Sequence, residues 1–112
     1  MLTPTSWWIA TEPVDLRRGM DGLLATIAAQ LGHDGSSGGA YVFRNRAGTR
    51  IKVVCADGTG VWLCLRRLRE GRFTWPRSGD RVCEIDAQSF AWLCTGIDWH
   101  RMCAKPVTGE RV

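Results

Sequence analysis

The sequence predicts an α+β fold in which an antiparallel β-meander of about four to five strands packs with two helices. One segment near each end of the chain shows apolar residues at helical spacing. Between them lie short runs of β-branched and aromatic residues, separated by glycine-containing turns. Such short connections favour antiparallel neighbours, because parallel strands need longer crossovers. At 112 residues the chain is expected to form a single domain, 1–112.

The first two predicted elements are a strand and a helix. SWWIAT, residues 6–11, is typical of a strand. Helical spacing follows over residues 15–31, with Asp15 as the expected N-cap and Gly32 as the expected end. The apolar stripe of this helix consists of Leu16, Met20, Leu23, Leu24, Ile27 and Leu31. Glycines inside the segment lower its helix propensity by about 1 kcal/mol each relative to alanine, so a later start is the alternative.

A glycine- and serine-rich loop, residues 32–40, is expected to be mobile. Four strands are predicted after it, at residues 40–46, 49–55, 61–68 and 72–76. The turns that join them are Ala47-Gly48, residues 57–60 and Glu70-Gly71.

A second helix is expected to begin after Asp86, whose carboxylate is a favourable N-cap, and to end at Gly96. Its inward positions are Phe90, Leu93 and Cys94. The polar tail, residues 106–112, is expected to fray.

Because strand side chains alternate between two faces, the predicted strands can be sorted by residue number. Odd positions are apolar: Tyr41, Phe43, Ile51, Val53, Cys55, Val61, Leu63, Leu65, Phe73 and Trp75. Even positions carry the cations and one tryptophan: Arg44, Arg46, Arg50, Lys52, Trp62, Arg66 and Arg72. Asn45 and Arg67 are exceptions at strand ends. The pattern predicts one apolar face covered by both helices and one exposed cationic face.

The charge of this face indicates an anionic partner. The formal net charge is +4, and Lys52 and Lys105 are the only lysines among 15 cationic side chains. Arginine binds phosphate and carboxylate oxygens in a fork. From residue 44 to residue 81 ten cations stand against three acids, none of them at an even strand position. A basic outer face that protects the sheet edge is the alternative interpretation.

Nine residues are therefore candidates for nucleic-acid binding. They are the even-numbered cations, Trp62 as a stacking platform, and two arginines at the helix start. The full set is Arg44, Arg46, Arg50, Lys52, Trp62, Arg66, Arg72, Arg17 and Arg18.

No catalytic residue, metal site or cofactor is predicted. The five cysteines form no C-x-x-C pair, which favours free thiols over zinc or a disulfide framework. The chain also lacks both common glycine-rich nucleotide-binding motifs. His33 and His100 are expected to be solvent-exposed. Four aspartates that could gather around magnesium keep a metal-dependent nuclease as an alternative, although each also has a helix or turn role: Asp15, Asp21, Asp57 and Asp98.

Neither a secretory signal nor a membrane span is expected. The N-terminal ten residues lack a basic region followed by an apolar run, and no stretch of about 20 apolar residues occurs. The expected location is the cytoplasm, with no membrane partner.

Three stretches together resemble a known family. They are DLRRGMDGL at residues 15–23, the run from VFRNRAGTRIKVV to RFTWP at residues 42–76, and TGIDWHR at residues 95–101. In this order they are similar to the TnpB accessory proteins of insertion-sequence-66-type bacterial transposable elements. The most specific strings are D-x-R-x-G-x-D-G-L and L-C-L-R-R-L-R-E-G-R-F-T-W-P.

The resemblance implies a non-catalytic accessory role in DNA transposition beside a transposase encoded by the same element. Two mechanisms stay open. The cationic face could bind DNA, with the element ends as the expected target, or it could dock on an acidic surface of the transposase as a protein-interaction adaptor. The sequence does not determine the oligomeric state.

Overall fold

A computed structural model describes residues 4–33, 38–76 and 79–96. It contains five strands and two α-helices, which confirms the α+β fold. The strands are β1 (Trp7–Ala10), β2 (Ala40–Arg44), β3 (Arg50–Ala56), β4 (Val61–Arg67) and β5 (Val82–Ile85). The helices are α1 (Met20–Thr26), which continues as a π-helical turn (Ile27–Leu31), and α2 (Ala87–Cys94). None of the described helices has the length and apolar character needed to cross a membrane.

The five strands form one sheet in the order β4-β3-β2-β1-β5. The predicted meander holds for β2, β3 and β4, which are antiparallel neighbours. The sheet is mixed, however, because β1 pairs parallel to β2 and antiparallel to β5. The chain reaches β2 from β1 through α1, and this helical crossover makes the parallel pairing possible.

The strand predicted at residues 72–76 does not form, so β4 is one edge of the sheet in the described residues and β5, paired with β1, is the other. This segment binds the sheet by single hydrogen bonds rather than by a ladder. The Phe73 amide donates to the Gly48 carbonyl at 2.8 Å, and the Trp75 indole donates to the Ala10 carbonyl at 2.8 Å. Phe73 is buried. The aromatic residues of segment 72–76 therefore cover the core of the sheet. In sequence, such a covering segment has the same composition as a strand.

The helices lie on opposite sides of the sheet, so the expectation that both cover one face is wrong. On the side here called the α1 side, Leu23 and Ile27 pack with Tyr41, Phe43 and Val54. On the opposite side, the α2 side, Leu93 and Phe73 pack with a second set of strand residues: Ile9, Ala40, Val42, Ile51, Val53 and Cys55. Both faces of the central strands are consequently buried.

The odd-even assignment fails across strands because of the hairpin register. Directly opposed residues share a side of the sheet, and here they pair an odd with an even position, as in Tyr41 with Val54 and Val54 with Leu63. Odd residues of β2 and β4 thus face the α1 side, whereas odd residues of β3 face the α2 side. The predicted single cationic face is divided between the two sides.

Helix α1 begins later than Asp15. Gly19 is its N-cap, and the Asp15 carboxylate instead accepts a hydrogen bond from the Arg17 amide at 3.0 Å within the preceding turn. The predicted end is right: Gly32 has a left-handed φ of 69°.

Helix α2 matches the prediction. The Asp86 carboxylate accepts from the Ser89 amide at 2.7 Å, and Gly96 follows the helix with a φ of 81°. Leu93 is buried, while Phe90 and Cys94 are half-buried. Residues 34–37 of the glycine- and serine-rich loop and the tail 106–112 lie outside the described residues.

Candidate functional site

The sequence-predicted cations occupy two separate surfaces. Arg50 and Lys52 project to the α1 side, because they share the pleat of Val54 on β3. Arg44 and Arg66 project to the α2 side, since both are register partners of Ile51.

The α1-side cations border a cleft of ≈ 370 Å³ between the segment that leads into α1 and the outer strands of the sheet. Its lining consists of Asp15, Leu16, Arg17, Asn45, Arg50, Lys52 and Leu65. A second depression of ≈ 340 Å³ shares Asp15, Leu16 and Asn45 with the first and adds Arg46. We call the two together the cationic cleft.

Local hydrogen bonds hold the walls of the cationic cleft. In the β2–β3 turn, the Asn45 side-chain oxygen accepts from the Thr49 and Arg50 amides at 3.0 and 3.1 Å. Across the cleft, the Lys52 ammonium donates to the Arg18 carbonyl at 3.2 Å and so links β3 to the α1 segment. The Arg18 guanidinium in turn donates to the Thr26 hydroxyl at 2.7 Å. Arg18 therefore lies beside the cleft, and one N–H group of its guanidinium is already bound to Thr26.

One cross-strand pair in this region is unusual. Arg50 of β3 lies directly opposite Arg67 of β4, and both side chains are exposed. Side chains so opposed have Cβ atoms about 4.5–5.5 Å apart, and like charges there are destabilising. Neither guanidinium forms an ion pair or hydrogen bond with any of the described residues. Arg67 was not among the sequence candidates, although counting the register across the β3–β4 turn places it opposite Arg50.

Arg17, by contrast, is already neutralised. Its guanidinium forms an ion pair with the Asp15 carboxylate at 2.9 Å. The Arg17 side chain holds the pKa of Asp15 at about 2, with the Arg17 amide adding to the effect. The Asp15 carboxylate correspondingly raises the pKa of Arg17.

On the α2 side the cations bind the protein itself. The Arg44 guanidinium lies 5.7 Å from the Trp75 ring and donates to the Thr11 carbonyl at 3.4 Å. Its Nε is buried without a hydrogen-bond partner among the residues that the structure describes, and burial lowers the pKa of Arg44. Arg66 donates from Nε to the Cys94 carbonyl at 2.6 Å, at the C-terminal end of α2, where a cation complements the helix dipole.

The remaining two candidates stand apart from the cationic cleft. Trp62 is 43 % exposed and, as the register partner of Cys55, projects to the α2 side. Arg72 is exposed in the segment after β4, beside the β2–β3 turn at Gly48. The structure therefore brings Arg17, Arg18, Arg46, Arg50 and Lys52 together and separates them from Arg44, Trp62 and Arg66.

Asp57 and His33 have structural partners outside the cationic cleft. The Asp57 carboxylate accepts from the Thr59 and Gly60 amides, which lowers its pKa. His33 is not solvent-exposed as expected: it is half-buried, and its Nδ1 lies 2.8 Å from the Tyr41 hydroxyl. No group of three or more metal-ligating side chains occurs among the described residues. Asp98 and His100 lie outside them.

The described cysteines are free. They are Cys55, Cys64, Cys83 and Cys94, of which only Cys64 is exposed. Burial raises the pKa of Cys55, Cys83 and Cys94.

Comparison with known proteins gives the family. The family described as IS66 Orf2 like protein matches residues 5–104. The uncharacterized protein y4jC of Sinorhizobium fredii (strain NBRC 101917 / NGR234) is 37% identical over 99 residues, which cover 88% of this chain and 85% of that protein. The uncharacterized protein y4hO of the same strain is 37% identical over 92 residues, covering 82% and 80%. No solved structure matches with statistical significance. The chain belongs to the IS66 Orf2-like family, and this membership gives it a transposon-associated accessory role.

Proposed function

We propose that this accessory protein is non-catalytic and acts in the cytoplasm. It binds the phosphate backbone of DNA, with the ends of its own element as the expected target, through the cationic cleft and the neighbouring Arg67 on β4. The observation that carries the proposal is the opposed pair Arg50 and Arg67. Two exposed guanidiniums on facing strands, without an acid between them, destabilise the free protein. A phosphate group placed between them would remove that repulsion and accept hydrogen bonds from both forks.

Neighbouring groups favour the same ligand. Lys52 lies two residues from Arg50 on the same side, and Arg46 borders the adjoining depression. Phosphates follow one another along a nucleic-acid strand, so cations spaced along the rim of a cleft can each contact one. In this proposal Arg17 contributes little, because Asp15 already neutralises it.

The α2-side candidates have different roles here. Arg44 and Arg66 stabilise the fold through Trp75 and the end of α2. Base stacking on Trp62 stays a separate prediction for single-stranded DNA, since Trp62 projects from the opposite side of the sheet.

The test is a salt titration of DNA affinity by fluorescence anisotropy. Contacts from Arg46, Arg50, Lys52 and Arg67 predict a slope of log affinity against log salt of about −3.6, at about −0.9 per contact. Arg50→Gln and Arg67→Gln should each flatten the slope by about 0.9. Arg81→Gln is the control for a cation away from the cleft, because Arg81 is exposed beside β5 at the opposite edge of the sheet, where it donates to the Gln30 carbonyl at 3.2 Å.

The second candidate is the adaptor for the element's transposase. It is favoured by Leu65, which is 62 % exposed inside the cationic cleft, where a protein side chain could bury it. A slope near zero for the wild-type chain would reject DNA binding. If Arg50→Gln then abolished co-purification with the transposase, the adaptor function would replace it.

A further inference from the structure

Strand β4 is an edge of the sheet in the described part of the chain, and its only edge-protecting feature there is the pair of exposed arginines at its end, Arg66 and Arg67. It is seven residues long, contains no proline and keeps an unbroken register with β3 from Val61 to Arg67. Natural edges are usually short, bulged or rich in charge. The opposite edge, β5, is only four residues long and carries Glu84.

The backbone groups of β4 that point outward can be identified. The Leu68 amide donates to the Thr49 carbonyl at 3.1 Å, so Leu68 faces β3. Because this direction alternates along an antiparallel strand, even-numbered residues of β4 face β3. Val61, Leu63, Leu65 and Arg67 therefore direct their amides and carbonyls away from the sheet.

We propose that a second copy of this chain pairs with β4 in antiparallel orientation, about a two-fold axis through Cys64. Cys64 is the midpoint of the strand. Centred there, Leu63 pairs with Leu65 of the second copy and Val61 with its Arg67. All four outward-facing residues of each copy then have backbone partners, and a ten-stranded sheet results.

The side chains fit this register. Leu65, which is 62 % exposed, meets the second copy's Leu63 on the α1 side. Trp62, which is 43 % exposed, meets the second copy's Arg66 on the α2 side, where the exposed Arg66 side chain can cover the indole ring while its Nε keeps the bond to the Cys94 carbonyl. An axis through Arg66 would instead place the Arg66 residues of the two copies directly opposite each other. Repulsion between the two like charges disfavours that register.

The same two-fold axis places the cationic clefts of the two copies on one side of the dimer. The axis is perpendicular to the sheet, so the α1 sides of both copies face the same way. The two Arg67 residues lie about 20 Å apart along the strand direction. This pairing does not depend on DNA binding, and it is tested on the full chain without DNA.

The first experiment uses Cys64, which is exposed. In the proposed register the two Cys64 residues form a non-hydrogen-bonded pair with Cα atoms about 4.5 Å apart, which a disulfide can bridge. Mild treatment with diamide, which takes up the two protons and two electrons released, should give a covalent dimer on non-reducing gels. Cys64→Ser, which keeps the other cysteines, should remove it. Cys64→Ser with Trp62→Cys should not restore it, whereas adding Arg66→Cys should, because those two positions are opposed.

The second experiment is sedimentation velocity over a wide concentration range under reducing conditions. Leu65→Lys places a lysine against the second copy's Leu63 at both symmetry-related contacts and should raise the dimer dissociation constant by on the order of tenfold or more. The matched control is Met20→Lys, since Met20 is an exposed apolar residue on α1. This substitution should leave the dimer dissociation constant unchanged. A chain that stays monomeric at every concentration would overturn the proposal. So would a dimer that Leu65→Lys leaves intact, or cross-linking that survives Cys64→Ser.

Discussion

Arg44 and Arg50 flank the same β2–β3 turn and were assigned to one face by the sequence pattern, yet they lie in opposite environments. Arg44 projects to the α2 side, where its guanidinium packs on Trp75 and donates to the Thr11 carbonyl. Arg50 projects to the α1 side, exposed and directly opposite Arg67. A cation that contacts the protein stabilises the fold, whereas one opposed to another cation remains available to a ligand.

Replacing Arg44 should produce the largest change in stability. Arg44→Ala removes the contact with Trp75 and the hydrogen bond to Thr11, so the free energy of unfolding should fall by about 1–3 kcal/mol. Chemical denaturation measures this, with Arg50→Ala as the matched control. If both variants lose equal stability, the distinction between the two arginines is wrong.

Reversing the charge of Arg50 should separate stability from binding. Arg50→Glu places a carboxylate opposite Arg67, so we expect the free energy of unfolding to rise by about 0.2–1 kcal/mol. DNA affinity should fall at the same time, because the carboxylate repels phosphate. Denaturation at low salt and anisotropy with the same preparation provide the two measurements. If the free energy of unfolding and the DNA affinity both fell, Arg50 would have a structural role.

Arg66 should show an intermediate effect. Arg66→Ala removes the hydrogen bond to the Cys94 carbonyl and the favourable charge at the end of α2, at a cost of about 0.5–1.5 kcal/mol. Arg66→Lys keeps the charge and should recover part of that stability. Hydrogen exchange of the α2 amides reports the change locally, and unaltered protection in Arg66→Ala would contradict it.

The smallest expected effect concerns the Arg17–Asp15 pair. Carboxyl chemical shifts in an NMR titration should place the pKa of Asp15 at about 2, and Arg17→Ala should return it towards its ordinary value of 3.8. Because the folded-state pKa is the lower one, the pair favours the folded state above pH 3.8 and loses that contribution as the pH falls through about 2. Arg17→Gln should also weaken DNA binding less than Arg50→Gln does. An equal loss would show that Asp15 does not neutralise Arg17 in the complex.

The sequence by itself determined the features that depend on near neighbours. Local conformational preferences and short turns fixed Asp86 as the cap of α2, Gly32 and Gly96 as helix ends, and three of the four strands of the predicted meander. Alternation within one strand was equally informative. Arg50 and Lys52 do share a side because only one residue separates them on β3.

Only the tertiary structure decided which surface each cation occupies. Side-chain direction carries from one strand to the next through the hairpin register, and a register that pairs odd with even positions reverses the count at each turn. Residues 72–76 show the same limit of sequence-based prediction. An aromatic segment that covers the core and a strand of the sheet have similar compositions, so the sequence does not distinguish them. The opposition of Arg50 and Arg67, 17 positions apart in the chain, depends on the register that the 57–60 turn sets between β3 and β4.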